Sequence, residues 1–211
     1  MEAAQGQRVK ERTRSEAAAA ASWIRVFDLA FAAAGILLTL PVMLPIAAAI
    51  KLGSKGPVFF AQERLGFLKR PFKLVKFRTM RVDAEAEGPR WAGESDERIT
   101  GVGRFLRRTR LDELPQFFNV LKGEMSMVGP RPIREHFADL LRQHNPDYDR
   151  RFLVKPGVTG WSQLRTSYAR TVEAQLERLP YDLSYLGGIT PALYFKLIFM
   201  TAADVLLQRG E

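Results

Sequence analysis

"VFDLAFAAAGILLTLPVMLPIAAAI", residues 26–50, is almost wholly apolar and is bounded by Arg25 and Lys51. Its 25 residues exceed the roughly 20 that a helix needs to cross a bilayer. The apolar core is too long for a cleavable leader, and no clear small-residue cleavage site follows it. A single-pass anchor is the simplest reading. Pro41 and Pro45 argue against a plain span, because an interior proline removes a helix hydrogen bond and bends the axis. The flanks argue the same way: residues 1–25 hold five Lys/Arg against three acids, and residues 51–81 hold nine against Glu63 alone. Basic flanks favour the cytoplasmic side. A helix bent near Pro41 and returning to its own leaflet satisfies both flanks, provided protein covers the broken backbone. On these residues alone the re-entrant and spanning arrangements stand level. Asp28, a turn inside the basic edge, reads as structural and within reach of Arg25.

Working outward, residues 1–22 are polar and then alanine-rich, a poorly ordered or loosely helical lead-in. Residues 23–52 form the membrane helix, and 53–211 leave enough chain for one globular domain with its own core. Lys plus Arg outnumber Asp plus Glu by 32 to 23, a net charge of +9. Such a balance suits an anionic partner: nucleic acid, an anionic membrane surface or a phosphorylated small molecule. The absence of cysteine excludes disulfides, thiolate zinc sites and cysteine nucleophiles. His136 and His144, on the polar face of a helix, are too few for a histidine-rich metal site.

The remaining pattern predicts an α+β chain, mainly helical with one hairpin. "PVFFAQERLG" and "FKLVKFRTM" make a basic β-hairpin over residues 58–79. Residues 83–98 read as an exposed acidic loop, with Trp91 its anchor or a lid. "RFLRRTR" resumes helical spacing, with Arg104, Arg107 and Arg108 on one face. "PQFFNVLKG" is a short helix ended by Gly123, its Phe117 and Phe118 in the core. "IREHFADLLRQH" is amphipathic, and residues 168–186 are mostly helical. "TPALYFKLIFMTAADVLL" begins at a capping Thr190 and surrounds Lys196 with apolar side chains, as in an interfacial or second buried helix.

Within this frame Asp112 and Glu113 follow a burst of arginines. Asp112 suits a helix N-cap, with Pro115 in the first turn, and free N–H groups there attract phosphate. Nearby arginines should lower the pKa of Asp112 and can grip a pyrophosphate. An ionised carboxylate beside a phosphoanhydride is a competent nucleophile, and Glu113 offers an oxygen ligand for Mg²⁺. An Asp-Glu pair alone, or "GPRP" alone, is more often structural.

Together, "KFRTM", "FLRRTRLDELPQFFNVLKGEMSMVGPRP" and "VKPGVTGWSQL" resemble the bacterial sugar transferase family, the monotopic polyprenyl-phosphate phosphoglycosyl transferases. The match runs from about Ile24 to Leu206, in the form of the smaller members. The resemblance implies a re-entrant helix broken at Pro41 and amphipathic interfacial helices around a catalytic domain on the cytosolic face of the bacterial inner membrane. Many members carry Ser before that proline; here Leu40 stands there, and Thr39 can bond an earlier carbonyl instead. Asp112 would attack the β-phosphate of a UDP-sugar and release UMP. A polyprenyl phosphate such as undecaprenyl phosphate would then take the sugar phosphate, opening polysaccharide or glycoconjugate synthesis. The resemblance further implies Glu113 as the Mg²⁺ ligand and Lys76, Arg78 and Arg107 as phosphate contacts. Gly129, Pro130, Arg131 and Pro132 would shape the nucleotide pocket, with Arg151 and Lys155 as further cations. Residues 165–180 bear on donor choice by position. The partners expected are the two substrates and anionic lipid, without nucleic acid; a homo-oligomer stays open. A basic membrane-anchored nucleic-acid-binding module or scaffold is the alternative, and it gives Asp112-Glu113 no role.

Overall fold

The computed structural model describes residues 2–93, 96–166 and 171–207, with residues 2–21 by their backbone only. The lead-in and the apolar run form one helix, α1 (Glu2–Gly53), which ends at neither Pro41 nor Pro45. Thr39 Oγ1 donates to Gly35 O at 2.6 Å, a local bond in the turn where the proline leaves the helical ladder one donor short. Leu37 and Leu38 are 72% and 78% exposed, and only 17% of the most apolar window of Ser22–Gly53 is buried. A helix this apolar and this uncovered fits a lipid environment better than a protein core.

Both halves of α1 rest on the same body. Trp23, Ile24, Phe31 and Ala32 pack with Val120, Met125, Tyr194 and Leu197. Met43, Ile46 and Ile50 pack with Phe77 and Leu106. Between them, a Cβ on Gly35 would lie 2.7 Å from the ring of Phe117, so the bare glycine lets that ring close on the helix. Arg25 does not pair with Asp28. It donates to Val120 O at 2.6 Å and Leu121 O at 2.7 Å, satisfying carbonyls at the C-terminal, negative end of the helix Gln116–Lys122. Asp28 is buried, and its Oδ1 accepts from Ser126 Oγ, Met127 N and Tyr194 OH at 2.8–2.9 Å. A carboxylate in such apolar surroundings persists because donors satisfy it, and these three tie α1 to two distant parts of the chain.

The hairpin pairs β1 (Phe59–Leu65) with β2 (Pro71–Phe77) antiparallel, from Phe59↔Phe77 to Leu65↔Pro71. Phe72, Leu74 and Phe77 of β2 are buried. α2 (Gly101–Arg108) starts at Thr100, whose side chain accepts from Gly103 N, and α3 (Gln116–Lys122) ends at Gly123 with φ +82°. α3 is fixed to β2 by buried Asn119, which accepts from Val75 N at 3.1 Å and donates to Lys73 O at 2.7 Å. One amide thus pairs with a strand edge as another strand would. Phe117 packs inward, but Phe118 is 41% exposed: the two rings lie on different sides of a short helix.

A second sheet, parallel and two-stranded, joins β3 (Ser126–Val128) to β4 (Gly157–Thr159). Three-residue strands are too short to show a period, which is why the sequence pattern suggested only the hairpin. Here a Cβ on Gly129 would strike Lys155 O, and one on Gly157 would strike Gly129 N. The "GPRP" and "KPG" segments therefore cross backbone on backbone. α4 (Glu135–His144), α5 (Trp161–Arg165), α6 (Val172–Leu176), α7 (Leu179–Leu183) and α8 (Pro191–Leu206) complete the chain. Thr190 caps α8, as its sequence suggests. His136 and His144 are exposed. The 83–98 loop is pinned, with Arg98 paired to Asp96 and donating to Ala84 O, and Glu85 meeting Arg134 and Gln62.

Candidate active site

Between the hairpin, the loop and α5–α7 lies a cavity of about 790 Å³. Asp112 lines it from a 3₁₀ turn, Leu111–Glu113, entered through Arg110 in the left-handed region at φ +56°. Pro115, not Asp112, occupies the N-cap position of α3. The turn therefore points the carboxylate into the cavity instead of spending it on the helix end. Asp112 is only 7% exposed and accepts no hydrogen bond from the described residues. Burial and the neighbouring Glu113 push its pKa up to about 6, against the opposing charges of Lys76, Arg107 and Arg131. The arginines thus lose to desolvation, the reverse of what their sequence proximity suggests. Burial would also raise Glu113, but Arg131, Arg110 and Lys76 outweigh it and hold Glu113 below the usual carboxylate range. Arg131 Nη2 donates to Glu113 Oε1 at 2.6 Å. Adjacent carboxylates with pKa values driven apart suit different chemical tasks.

The sequence-predicted cations separate into three groups. Lys76 and Arg107 line the cavity within electrostatic reach of Asp112, and Lys76 also sits 5.6 Å over the Phe60 ring. Among the described residues Arg107 has no hydrogen-bond or ion-pair partner, which leaves its guanidinium available to an anion. Arg78 and Arg151 line the cavity but are committed elsewhere. Arg78 donates to Lys55 O, Ser54 O and Ser54 Oγ at 2.5–3.0 Å, tying the hairpin to the end of α1. Arg151 forms a buried pair with Asp182 at 2.7 Å. Lys155 lies outside the cavity, near Gly123 and Arg25. Of the "GPRP" residues, Arg131 and Pro132 line the cavity, while Gly129 and Pro130 do not.

A family model described as bacterial sugar transferase matches residues 19–208. The chain belongs to the bacterial sugar transferase family. It is 40% identical over 186 residues to the UDP-N-acetylgalactosamine-undecaprenyl-phosphate N-acetylgalactosaminephosphotransferase of Aeromonas hydrophila, covering 88% of this chain and 44% of that protein. The UDP-glucose:undecaprenyl-phosphate glucose-1-phosphate transferase of Escherichia coli K12 is 43% identical over 179 residues, 84% of this chain and 39% of that protein. The exopolysaccharide production protein PSS of Rhizobium leguminosarum bv. phaseoli is 39% identical over 194 residues, 89% of this chain and 96% of that protein. The chain thus spans less than half the length of the first two relatives.

In this family member the cavity also gathers residues beyond the dyad and these cations. Thirteen Arg/Lys and five acids line it, so the net charge of the whole chain is concentrated where an anion can enter. Trp91 lines it too and stacks on Phe137 with centroids 4.8 Å apart. Arg165, Thr166, Gln175 and Arg178 bring the 165–180 segment to the same wall, although 167–170 lie outside the described residues. Trp161 lies away from the cavity and packs under Arg165 and Lys196. Among the described residues, the buried side-chain atoms with no hydrogen-bond partner are Arg64 Nε, Arg78 Nε and Gln163 Nε2, and all three residues line this cavity. Orphaned polar atoms gathered in one place mark where a ligand or water completes the structure. No cluster of three or more His, Cys, Asp or Glu able to hold a metal occurs among the described residues. Glu113 lines the cavity beside Asp112 and is the kind of single carboxylate that Mg²⁺ takes alongside waters and substrate phosphates.

Proposed function

We propose that this chain transfers a sugar 1-phosphate from a UDP-sugar to a polyprenyl phosphate such as undecaprenyl phosphate, through a covalent intermediate on Asp112. The observation that carries the reading is Asp112 itself: a buried, unbonded carboxylate facing a cationic cavity. An Asp112 oxygen bonds to the β-phosphorus, the bond from that phosphorus to the bridging oxygen breaks, and UMP leaves with the electron pair. A phosphate oxygen of the polyprenyl acceptor then bonds to the same phosphorus and releases the carboxylate. Desolvation leaves Asp112 a stronger base and nucleophile than a solvated carboxylate, while its pKa of about 6 keeps it largely ionised near neutrality. Lys76, Arg107 and Arg131 would meet the phosphate charge. Glu113 would hold a Mg²⁺, which when bound neutralises charge on the diphosphate. The family relationship favours this reading over a nucleic-acid-binding module or scaffold. The deciding measurement is UMP release from a panel of UDP-sugars with Mg²⁺ and undecaprenyl phosphate. Turnover with at least one donor is expected; none across the panel would refute the transferase.

The pH dependence carries its own expectation. The acid limb of kcat/KM should bend near pH 6, because protonating Asp112 removes the nucleophile. Rates should be flat above that bend until another group titrates. A limb bending near pH 4 would mean that Asp112 behaves as an ordinary solvated aspartate.

We also propose that α1 enters and leaves the cytosolic leaflet of the bacterial inner membrane without crossing it. Support comes from its two halves, Trp23–Ala32 and Met43–Ile50, packing on one globular body, and from its basic flanks. A chain without cysteine allows a clean check. Cysteines replacing Gln5 and Ala203 should both be labelled by an impermeant maleimide from the cytosolic side only. Labelling from opposite sides would establish a span.

A further inference from the structure

We propose that Gln163 binds the donor, giving an amide N–H to a neutral oxygen on the sugar half of the nucleotide sugar; this rests on the transferase reading above. Gln163 lies on α5, lines the cavity and is 9% exposed. Its Oε1 accepts from Arg131 Nη1 at 2.9 Å, while Arg131 Nη2 holds Glu113. Arginine only donates, so the amide can sit one way round: oxygen to Arg131, nitrogen away. That nitrogen is buried and has no partner among the described residues. A buried donor left unpaired destabilises a fold, and an incoming acceptor relieves the cost.

The amide is also held in place from behind. Ser162, its neighbour on α5, donates to Asp182 Oδ1 at 2.8 Å. Asp182 Oδ2 accepts from Arg151, and Arg151 Nη2 reaches Arg131 O at 2.8 Å. One buried carboxylate therefore fixes both the helix carrying Gln163 and the backbone carrying Arg131. A donor supported this way loses little freedom when a ligand arrives.

The position selects which part of the ligand is met. A single guanidinium separates the amide from Glu113, which adjoins Asp112. Arg131, Lys76 and Arg107 supply positive charge for the diphosphate, whereas an uncharged amide beside them suits a hydroxyl or an acetamido carbonyl. When Asp112 attacks the β-phosphorus, the sugar remains attached to that phosphorus and the nucleoside departs. The neutral oxygens nearest the dyad are then those of the sugar.

Binding measured in the Asp112→Asn background separates this idea from the chemistry, since nothing there turns over. Dissociation constants would be determined by calorimetry on the detergent-solubilised full chain, for UDP and for whichever of UDP-glucose or UDP-N-acetylgalactosamine binds. Two variants are compared. Gln163→Met keeps length and neutrality without an N–H, and Gln163→Glu keeps an oxygen for Arg131. The readout is the ratio of UDP-sugar to UDP dissociation constants, in which a folding loss or an added charge felt by both ligands cancels. One lost hydrogen bond should raise that ratio roughly 3- to 10-fold in both variants. An unchanged ratio, whether both constants stay put or both rise together, would overturn the proposal: Gln163 would then support Arg131 or touch only the nucleotide. Binding without UMP release from the unmutated chain would refute the transferase reading and leave the Gln163 result to be judged on its own ratio.

Discussion

Asp112→Asn is expected to lower UMP release by at least roughly 10³-fold, since it removes the proposed nucleophile and its carboxylate neighbour Glu113 is not free to replace it. Glu113 is adjacent in sequence but is engaged by Arg131 at 2.6 Å, and its lowered pKa makes it the poorer base. With a UDP-sugar and no lipid acceptor, the unmutated chain should gain the mass of one sugar phosphate on the peptide carrying Asp112, and the variant should gain none. A variant that still releases UMP at near the normal rate would refute the covalent route. The same substitution should not weaken the fold. The folded pKa of about 6 lies above the ordinary value of 3.8, so the ionised form is the disfavoured one inside the protein. The cost is absent at pH below about 4, grows as pH rises toward 6, and at neutrality reaches at most about 3 kcal/mol. An uncharged Asn removes it, and the unligated variant should melt at or above the temperature of the unmutated chain. An active site strained by its own nucleophile would thus gain stability as it loses function.

Arg151→Met is expected to produce the largest loss of stability, about 3–5 kcal/mol. Arg151 and Asp182 are 5% and 4% exposed and pair at 2.7 Å. Removing the arginine leaves the Asp182 carboxylate buried with the Ser162 hydroxyl as its remaining hydrogen-bond donor among the described residues. For a chain of this size the midpoint of thermal unfolding should fall by roughly 6–20 °C, measured by circular dichroism in detergent. Replacing both partners, as Arg151→Met with Asp182→Leu, should recover much of the loss, since a matched apolar pair avoids the isolated charge. If the single variant melts like the unmutated chain, Arg151 faces the cavity as a free cation, as the family resemblance implied.

The two residues illustrate how far sequence carries. Asp112 was legible because its neighbours on both sides form long motifs. Its use was not. Whether Asp112 caps a helix or faces a cavity depends on a left-handed Arg110 and a one-turn displacement of α3, which tertiary packing decides. Its pKa likewise could not be read from the count of nearby arginines, because desolvation depends on burial and overrode them. Arg107 and Arg151 look alike as basic residues in the chain, yet one has no hydrogen-bond partner among the described residues and the other neutralises Asp182. Asp182 lies 31 residues away in sequence, beyond any local pattern. The second sheet was hidden for a related reason: three residues a side give no alternation to read.

By itself the sequence determined the apolar helix and its basic flanks, the hairpin, the helix end at Gly123 and the cap at Thr190, and the closeness of a carboxylate dyad to phosphate-seeking cations. These follow from local hydrogen bonding and hydropathy, which act over a few residues. Only the tertiary structure decided which cations are free, how Gln163 is turned, and that both halves of α1 lie on one body. Those depend on which buried polar groups find partners across the fold, and a buried group's partner is set by the whole packed arrangement.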